Sequence, residues 1–463
     1  MFLTAPDPPD HVKIPKTREA VWVERLLWLF ALSFAFDYRN AVAREGQGGT
    51  GIDQLLFLLS CVGATLGIVI LGWRSLTVRP GAWLIGFWAV FVGFMLVNAT
   101  LQGVLPSRSL RVTLPLAFCL FGMINVHIAG CMGIRPVNLV RPILVGACIN
   151  VVWRIFYGLN FTGATLETSR LEVMSPATNW VTAWIGCAML LRGRFHWSLL
   201  VASGIVFTGI LVTVTRSLFF PVIASGLASG FCLMLSMRWG MVGWSGVWKR
   251  MVPLGAAFGV LIFGIAAVAV VQPRMLERWN ERLFHLASTQ NLSADISYLT
   301  RKAEADAMMK ILSDDPVHFI NGKGIGSSYY WDRAYIPEIN LVIPNEGDNF
   351  DGMWFAGHSV WTYSLLSGGV IALLAFILLL ISTATLSLIS ARQNSSDPGP
   401  DQWLAFLPFI ATCCLLSETL TANPFDARLV GIIFGMMAGL PQAFMVRASW
   451  IHTSVRQQAP VLS

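Results

Sequence analysis

Two apolar runs, MVPLGAAFGVLIFGIAAVAVVQ (residues 251–272) and SVWTYSLLSGGVIALLAFILLL (359–380), enclose a polar stretch, and that arrangement decides the fold. Each run is long enough to cross a bilayer, which takes about 20 apolar residues. The stretch between them, 273–358, holds about half of all the aspartates and glutamates. It also carries Arg301, the glycine-rich NGKGIGSS that begins at Asn321, and His358 at its exit. A chain that is otherwise nearly all membrane helix keeps its water-facing chemistry where the polar groups are.

Composition supports the same reading. The 463 residues are 55% hydrophobic and only 12% charged, with a mean hydropathy of +0.64. Soluble domains carry about 25% charge, so the chain is expected to be an all-α polytopic membrane protein. The lead MFLTAPDPPDHVKIPKTREA is polar and Pro-rich, with no small-residue cleavage site after the first apolar run. It reads as a tail rather than a secretory signal, and the first span is expected to stay in place. The net charge of +7 does not call for nucleic acid, because the basic residues gather at span ends. All eight cysteines lie in apolar runs without metal-ligand spacing. They are expected to be buried small hydrophobes, with neither disulfides nor a structural metal.

Apolar periods predict about twelve transmembrane helices, at 21–36, 54–72, 82–101, 112–133, 143–161, 179–191, 195–213, 217–237, 251–272, 359–389, 403–421 and 429–446. The chain then divides into a cytoplasmic tail (1–20), nine spans (21–272), the long loop (273–358), three spans (359–446) and a second tail (447–463). Basic residues in short loops set orientation. With Lys13, Lys16 and Arg18 inside, alternate loops carry Arg74 and Arg79, Arg135 and Arg141, Arg192 and Arg194, and Arg392, and both termini fall inside. The long loop, the Arg216 turn and the ANPFDA turn near Asn423 then share the outer side. Within the loop, PRMLERWNERLFHLA (273–287) is patterned as an amphipathic surface helix. Ser293 is placed to cap a second helix, whose face is Ile296, Leu299, Ala303, Ala307 and Ile311. Arg301 falls off that stripe, and Asp314-Asp315-Pro316 ends the helix.

Several residues have the chemistry of a site. Arg216, in LVTVTRSLFFPV, is a charge in a short turn between two spans. It either faces a polar cavity or snorkels to headgroups. His358 opens a span, where the partial positive charge of a helix N-terminus would keep imidazole neutral, as a general base requires. Asp348 and Asp351 would act in the opposite sense, and an interfacial histidine can also be no more than amphipathic. GKGIGSS fails the P-loop pattern and reads better as tight turns that let the loop pack. Glu418 and Arg154, an acid and a base in separate spans, either pair or line a polar cavity. With Arg108 and Arg111, several arginines converging on one outer cavity would suit a multiply charged anion such as pyrophosphate.

Three segments together resemble the O-antigen ligase and polymerase superfamily: VTVTRSLFFPVIASG (212–226), SYLTRKAEADAMMKILSDDPVHFINGKGIGSS (297–328) and GHSVWTYSLLSGGVIALL (357–374). Their order is a Ser/Thr-Arg turn, a loop helix bearing arginine followed by a Pro…GxGxG stretch, then a histidine opening the next span. The likeness covers about 205–380. The turn here reads Thr-Arg-Ser where Ser-Arg-Gly is commoner, and Ser359 follows His358 where asparagine is commoner. The resemblance implies a GT-C-like fold in a bacterial inner membrane, with its active site on the periplasmic face. It further implies transfer of a glycan from undecaprenyl pyrophosphate to an acceptor hydroxyl without a metal or other cofactor. Arg216 and Arg301 would hold the pyrophosphate, and His358 would act at the reacting hydroxyl. The expected function is polymerisation of lipid-linked repeat units of an exopolysaccharide or O-antigen, with partners in polysaccharide assembly. The alternative is a ligase moving finished glycan onto lipid A-core or protein. A twelve-span transporter or flippase is the remoter alternative; WRSLTVRPG lacks the Gly…Asp-Arg signature of the major facilitator family.

Overall fold

The computed structural model describes residues 17–38, 51–79, 81–161, 173–192, 197–213, 218–250, 296–330, 353–395 and 401–458. Within 251–270 it describes Gly255, Gly259, Phe263, Ala266 and Val270, all helical and exposed. Eight of the described helices are long and apolar enough to cross a membrane, one of them, Gln402–Thr419, with a leading 3-10 turn over Gln402–Phe406. In chain order the helices are α1 (Arg18–Leu32), α2 (Ile52–Gly72), α3 (Gly81–Leu101), α4 (Pro106–Cys131), α5 (Pro136–Phe161), α6 (Thr178–Cys187), α7 (Trp197–Thr213) and α8 (Phe219–Arg238). There follow α9 (Ile296–Ser313) and α10 (Pro316–Asn321) in the long loop, then α11 (Val360–Gln393), α12 (Leu407–Thr419) and α13 (Arg428–Gln458).

The described parts of three other expected spans are shorter than these eight, and two of these adjoin residues outside the described ones. Helix α1 has 15 residues, α7 has 17, and α6 has 10 before it loosens into a π-turn over Ala188–Arg192. The predicted surface helix at 273–287 lies outside the described residues. Helix α13 continues through Gln458, into the expected tail at 447–463. All eight cysteines are free thiols, none of them exposed.

Local sequence explains the helix starts. The Thr17 hydroxyl accepts the Ala20 N–H at 3.2 Å and caps α1. The Asp315 carboxylate accepts the Val317 N–H at 2.9 Å and caps α10, with Pro316 behind it. The Asp-Asp-Pro run therefore both stops α9 and starts α10.

The centre of the bundle is α13 against α4. Gly431, Gly435 and Gly439 recur every fourth residue and so line one face of α13. They oppose Pro115, Cys119 and Met123, which recur at the same interval on α4. A Cβ on Gly431 or Gly435 would fall inside the contact radius of the facing carbonyl, and one on Gly439 would lie 3.0 Å from the Met123 oxygen. Small residues let two helix backbones approach where apolar burial offers no drive between helices. Gly435→Leu is therefore expected to destabilise the bundle by about 3 kcal/mol, because backbone cannot move aside as a side chain can. Thermal unfolding of the detergent-solubilised variant checks this, and an unchanged midpoint would remove the glycine seam as the organising contact.

The two ends of the bundle differ. At one, Arg135 pairs with Asp401 at 3.0 Å, the Arg192 guanidinium lies 5.7 Å from the Trp403 ring centroid, and His127 Nε2 meets the Ser75 carbonyl at 2.9 Å. The other end receives the long loop. There a two-residue antiparallel ladder, β1 (Tyr329–Tyr330) and β2 (Met353–Trp354), pairs Tyr329 with Trp354.

Candidate active site

Helix α9 turns its buried side to the bundle, and that side contains an acid. Ala303, Met308 and Leu312 are buried as an apolar stripe should be, and Glu304 is buried among them at 3% exposure. A carboxylate survives burial only when its lone pairs are satisfied. Here Glu304 Oε1 accepts the His358 backbone N–H at 2.7 Å and the Tyr329 hydroxyl at 3.0 Å, and Oε2 meets His358 Nδ1 at 2.7 Å. The Tyr329 hydroxyl also lies 3.1 Å from the Ala356 carbonyl. Space for the carboxylate comes from Gly357, where a Cβ would sit 2.9 Å from Glu304 Oε1.

The His358 ring is thus held by one edge. Its side chain is 48% exposed although its partner is 4% exposed. With a carboxylate accepting at Nδ1, the neutral ring carries its proton there and presents the Nε2 lone pair outward. The Trp354 ring lies 5.5 Å away, tilted by 60°. The hydrogen bond to Glu304 holds the His358 pKa above the ordinary histidine value against the effect of burial. Glu304 and Asp426 add to the rise through their charges, and Arg301 opposes it. Of the two opposing influences expected on this ring, a helix N-terminus and nearby acids, a contacting carboxylate has the larger effect. The acid concerned is Glu304; Asp348 and Asp351 lie outside the described residues.

Three arginines reach this pocket, one from α9 and two from α4. Arg301, half-buried on α9, is near enough for its charge to act on His358. Arg108 and Arg111, on the first turns of α4, place their guanidinium carbons 5.8 and 6.0 Å from the Phe355 ring centroid. Phe355 is anchored in turn, since its carbonyl accepts the Tyr363 hydroxyl at 2.8 Å. The ANPFDA turn closes the pocket. Asn423 Nδ2 donates to the Gly357 carbonyl at 3.1 Å, and Asp426 faces His358, Glu304 and Arg111. Burial pushes the Asp426 carboxyl up to about 6, with His358 and Arg111 pulling it down and Glu304 pushing it further up. Asp426 and His358, both shifted by burial and by named charges in one cleft, make this pocket the candidate site.

The glycines of NGKGIGSS are structural. Gly322, Gly324 and Gly326 all have positive φ, at 73°, 90° and 83°. Gly324 packs on the Ala99 backbone and Gly326 on Arg108 and Ser109. The Gly326 N–H also donates to the Tyr363 hydroxyl at 3.1 Å. The stretch seats the loop on α3 and α4 beside the arginines.

The other expected residues divide. Arg216 lies outside the described residues; α8, which follows it, begins beside α12, where Cys414 Sγ meets the Pro221 carbonyl at 3.4 Å. Arg154 and Glu418 engage different partners. Arg154 is buried, donates to the Met174 carbonyl at 2.9 Å and faces Asp37. Glu418 is bonded to Asn179. Arg154 belongs to a buried polar cluster behind the pocket. In that cluster Arg428 bridges Gln54 and Asp37, the latter at 3.6 Å, Gln54 donates to Asp37 at 3.0 Å, and Asn150 donates to the Ala35 and Asp37 carbonyls, both at 3.0 Å. Arg428 follows Asp426 by two residues, so the cluster fixes the turn that closes the pocket.

Glu304, Tyr329 and Asp426 were not among the residues expected from sequence. One signal for Glu304 was available: it falls beside Ala303 and Ala307 on the predicted apolar stripe, where an acid needs a partner. Among the described residues no group of three or more His, Cys, Asp or Glu side chains is arranged to hold a metal ion. No protein-family model matches this chain, and no match is found among curated proteins.

Proposed function

We propose that the protein transfers a glycan from undecaprenyl pyrophosphate to an acceptor hydroxyl at the extracytoplasmic face of the bacterial inner membrane, polymerising lipid-linked repeat units. The observation that carries this reading is the half-exposed His358 imidazole, held at Nδ1 by buried Glu304, with Arg301 and Arg111 acting on the same pocket. The acceptor hydroxyl gives its proton to His358 Nε2 as its oxygen forms the new bond to the anomeric carbon. The anomeric carbon–oxygen bond breaks, and its electron pair leaves on the pyrophosphate. Glu304 stabilises the imidazolium that forms, and the guanidinium groups stabilise the leaving charge. No nucleotide is needed, because the pyrophosphate ester supplies the driving force.

The test uses the purified protein in lipid nanodiscs with lipid-linked repeat units, in the presence and absence of excess EDTA. Longer lipid-linked chains are expected with no other acceptor present, and EDTA is expected to leave them unchanged. Consumption of donor only after addition of lipid A-core or protein acceptor would make the enzyme a ligase. Movement of the donor across proteoliposomes with no glycan transfer would overturn the reading in favour of a transporter or flippase.

A further inference from the structure

The loop segment around Asn321, Gly322 and Lys323 is wedged into a break in the bundle. Helix α11 loses helical geometry at Gly368 (φ −144°, ψ 18°) and Gly369 (φ 64°, ψ −158°). Such a break frees the carbonyls of the preceding turn, and inside a membrane protein those must find new donors. The Lys323 N–H supplies one, reaching the Leu366 carbonyl at 2.7 Å. Backbones touch here: a Cβ on Gly322 would lie 2.6 Å from the Ser367 carbonyl carbon, and one on Gly369 2.5 Å from the Asn321 nitrogen.

One side chain from a third element closes the junction. Asn98, on α3 and only 4% exposed, donates through Nδ2 to the Asn321 carbonyl at 2.6 Å and to the Ser367 carbonyl at 3.3 Å. The two acceptors belong to different halves of the site. Asn321 lies on the loop segment between Glu304 on α9 and Tyr329, whose hydroxyl contacts that same carboxylate. Ser367 ends the half-helix that begins just after His358. We propose that Asn98 is a positioning residue for the His358–Glu304 pair: its amide ties the segment carrying Glu304 and Tyr329 to the half-helix carrying His358, and so sets the contact between them. Without it, two buried carbonyls lose a donor, and the two halves slide until water or another donor reaches them. Such a displacement loosens the short charge-assisted hydrogen bond between Glu304 and His358.

The test reads the pair directly. His358 is titrated by NMR in histidine-labelled protein, its resonance assigned by its loss in His358→Gln. The groups facing the ring are Glu304 and Arg301 from α9 and Asp426 from the turn before α13, with Arg111 of α4 beside Asp426. In Asn98→Ala and Asn98→Asp the titration is expected to move to lower pH, because the Glu304 contact is weakened while burial and Arg301 still act. Asn98→Gln, which keeps the donors, should restore most of the wild-type value. In a Glu304→Gln background Asn98→Ala should add no further shift, as required if the two act through one contact. In transfer assays, which rest on the function proposed above, kcat is expected to fall about 10- to 100-fold with KM little changed. A His358 titration unaltered in folded Asn98→Ala and Asn98→Asp overturns the inference. So does an equal shift in Asn98→Gln. Should Asn98→Ala not survive extraction, Asn98→Ser, which keeps one donor, carries the same comparison. The titration needs no substrate, so an inactive wild type would sink the transferase reading alone.

Discussion

Replacing Glu304 with glutamine is expected to lower the maximal transfer rate about 10²- to 10³-fold, within the range that positioned acid–base groups contribute. The substitution is nearly isosteric, so the buried site keeps its shape and loses its charge. The amide can still accept from the His358 backbone, but it no longer stabilises an imidazolium or fixes one tautomer. The pH profile should move at the same time, and its direction is fixed. A general base must be unprotonated, so kcat/KM rises as pH passes upward through the His358 pKa. In the wild type that rise lies above the ordinary histidine value, because Glu304 favours the charged ring. In Glu304→Gln, burial and Arg301 remain, and both favour the neutral ring. The rise therefore shifts to lower pH while the plateau falls. His358→Ala should lose the rise altogether, with a rate at or below that of Glu304→Gln. A normal plateau in Glu304→Gln, or a rise displaced to higher pH, would remove the pair from the chemistry.

The parts of this arrangement that sequence made legible are those set by local composition. Apolar runs mark where the chain crosses the membrane, and eight of the helices meet that standard in length and composition. The Asp-Asp-Pro stop after α9 and the turn role of NGKGIGSS follow from the same short-range chemistry. What remained hidden depends on partners distant in the chain. Glu304 and His358 are 54 residues apart, so the place of Glu304 beside the apolar stripe shows that it needs a partner but not which one. A glycine turn ending the His358 half-helix is implied by the family resemblance, but that loop backbone fills the break at Gly368–Gly369 is seen only in the fold. The Gly431–Gly435–Gly439 repeat could be read as a packing face, but its register against Pro115, Cys119 and Met123 is a property of the folded pair. The reading of Arg154 and Glu418 as partners or cavity lining weighed opposite charge alone. In the structure Arg154 takes a backbone carbonyl and faces Asp37, while Glu418 takes a side-chain amide.

Arg301→Ala gives the complementary result, with the same loss of rate and the opposite movement of the pH profile. One preorganised donor to a developing anion contributes about 10²- to 10³-fold, and Arg301 is the arginine whose charge acts directly on His358. Removing it withdraws a cation that opposes protonation of the ring, so the rise in kcat/KM should move to higher pH. Arg301→Lys should restore the position of the rise, because the charge returns. It should restore only part of the rate, because an ammonium cannot hold a phosphate oxygen pair with two parallel N–H bonds. Arg111→Ala separates the two roles. Its charge acts on Asp426, so the His358 profile should stay near that of the wild type while donor KM rises. Assays at several pH values with lipid-linked repeat units distinguish these outcomes. If Arg301→Ala kept its rate while the profile still moved up, Arg301 would be a tuner of the histidine, and the pyrophosphate would have to be held by the α4 arginines. If neither quantity changed, the pocket at this end of the bundle would not be where the anion leaves.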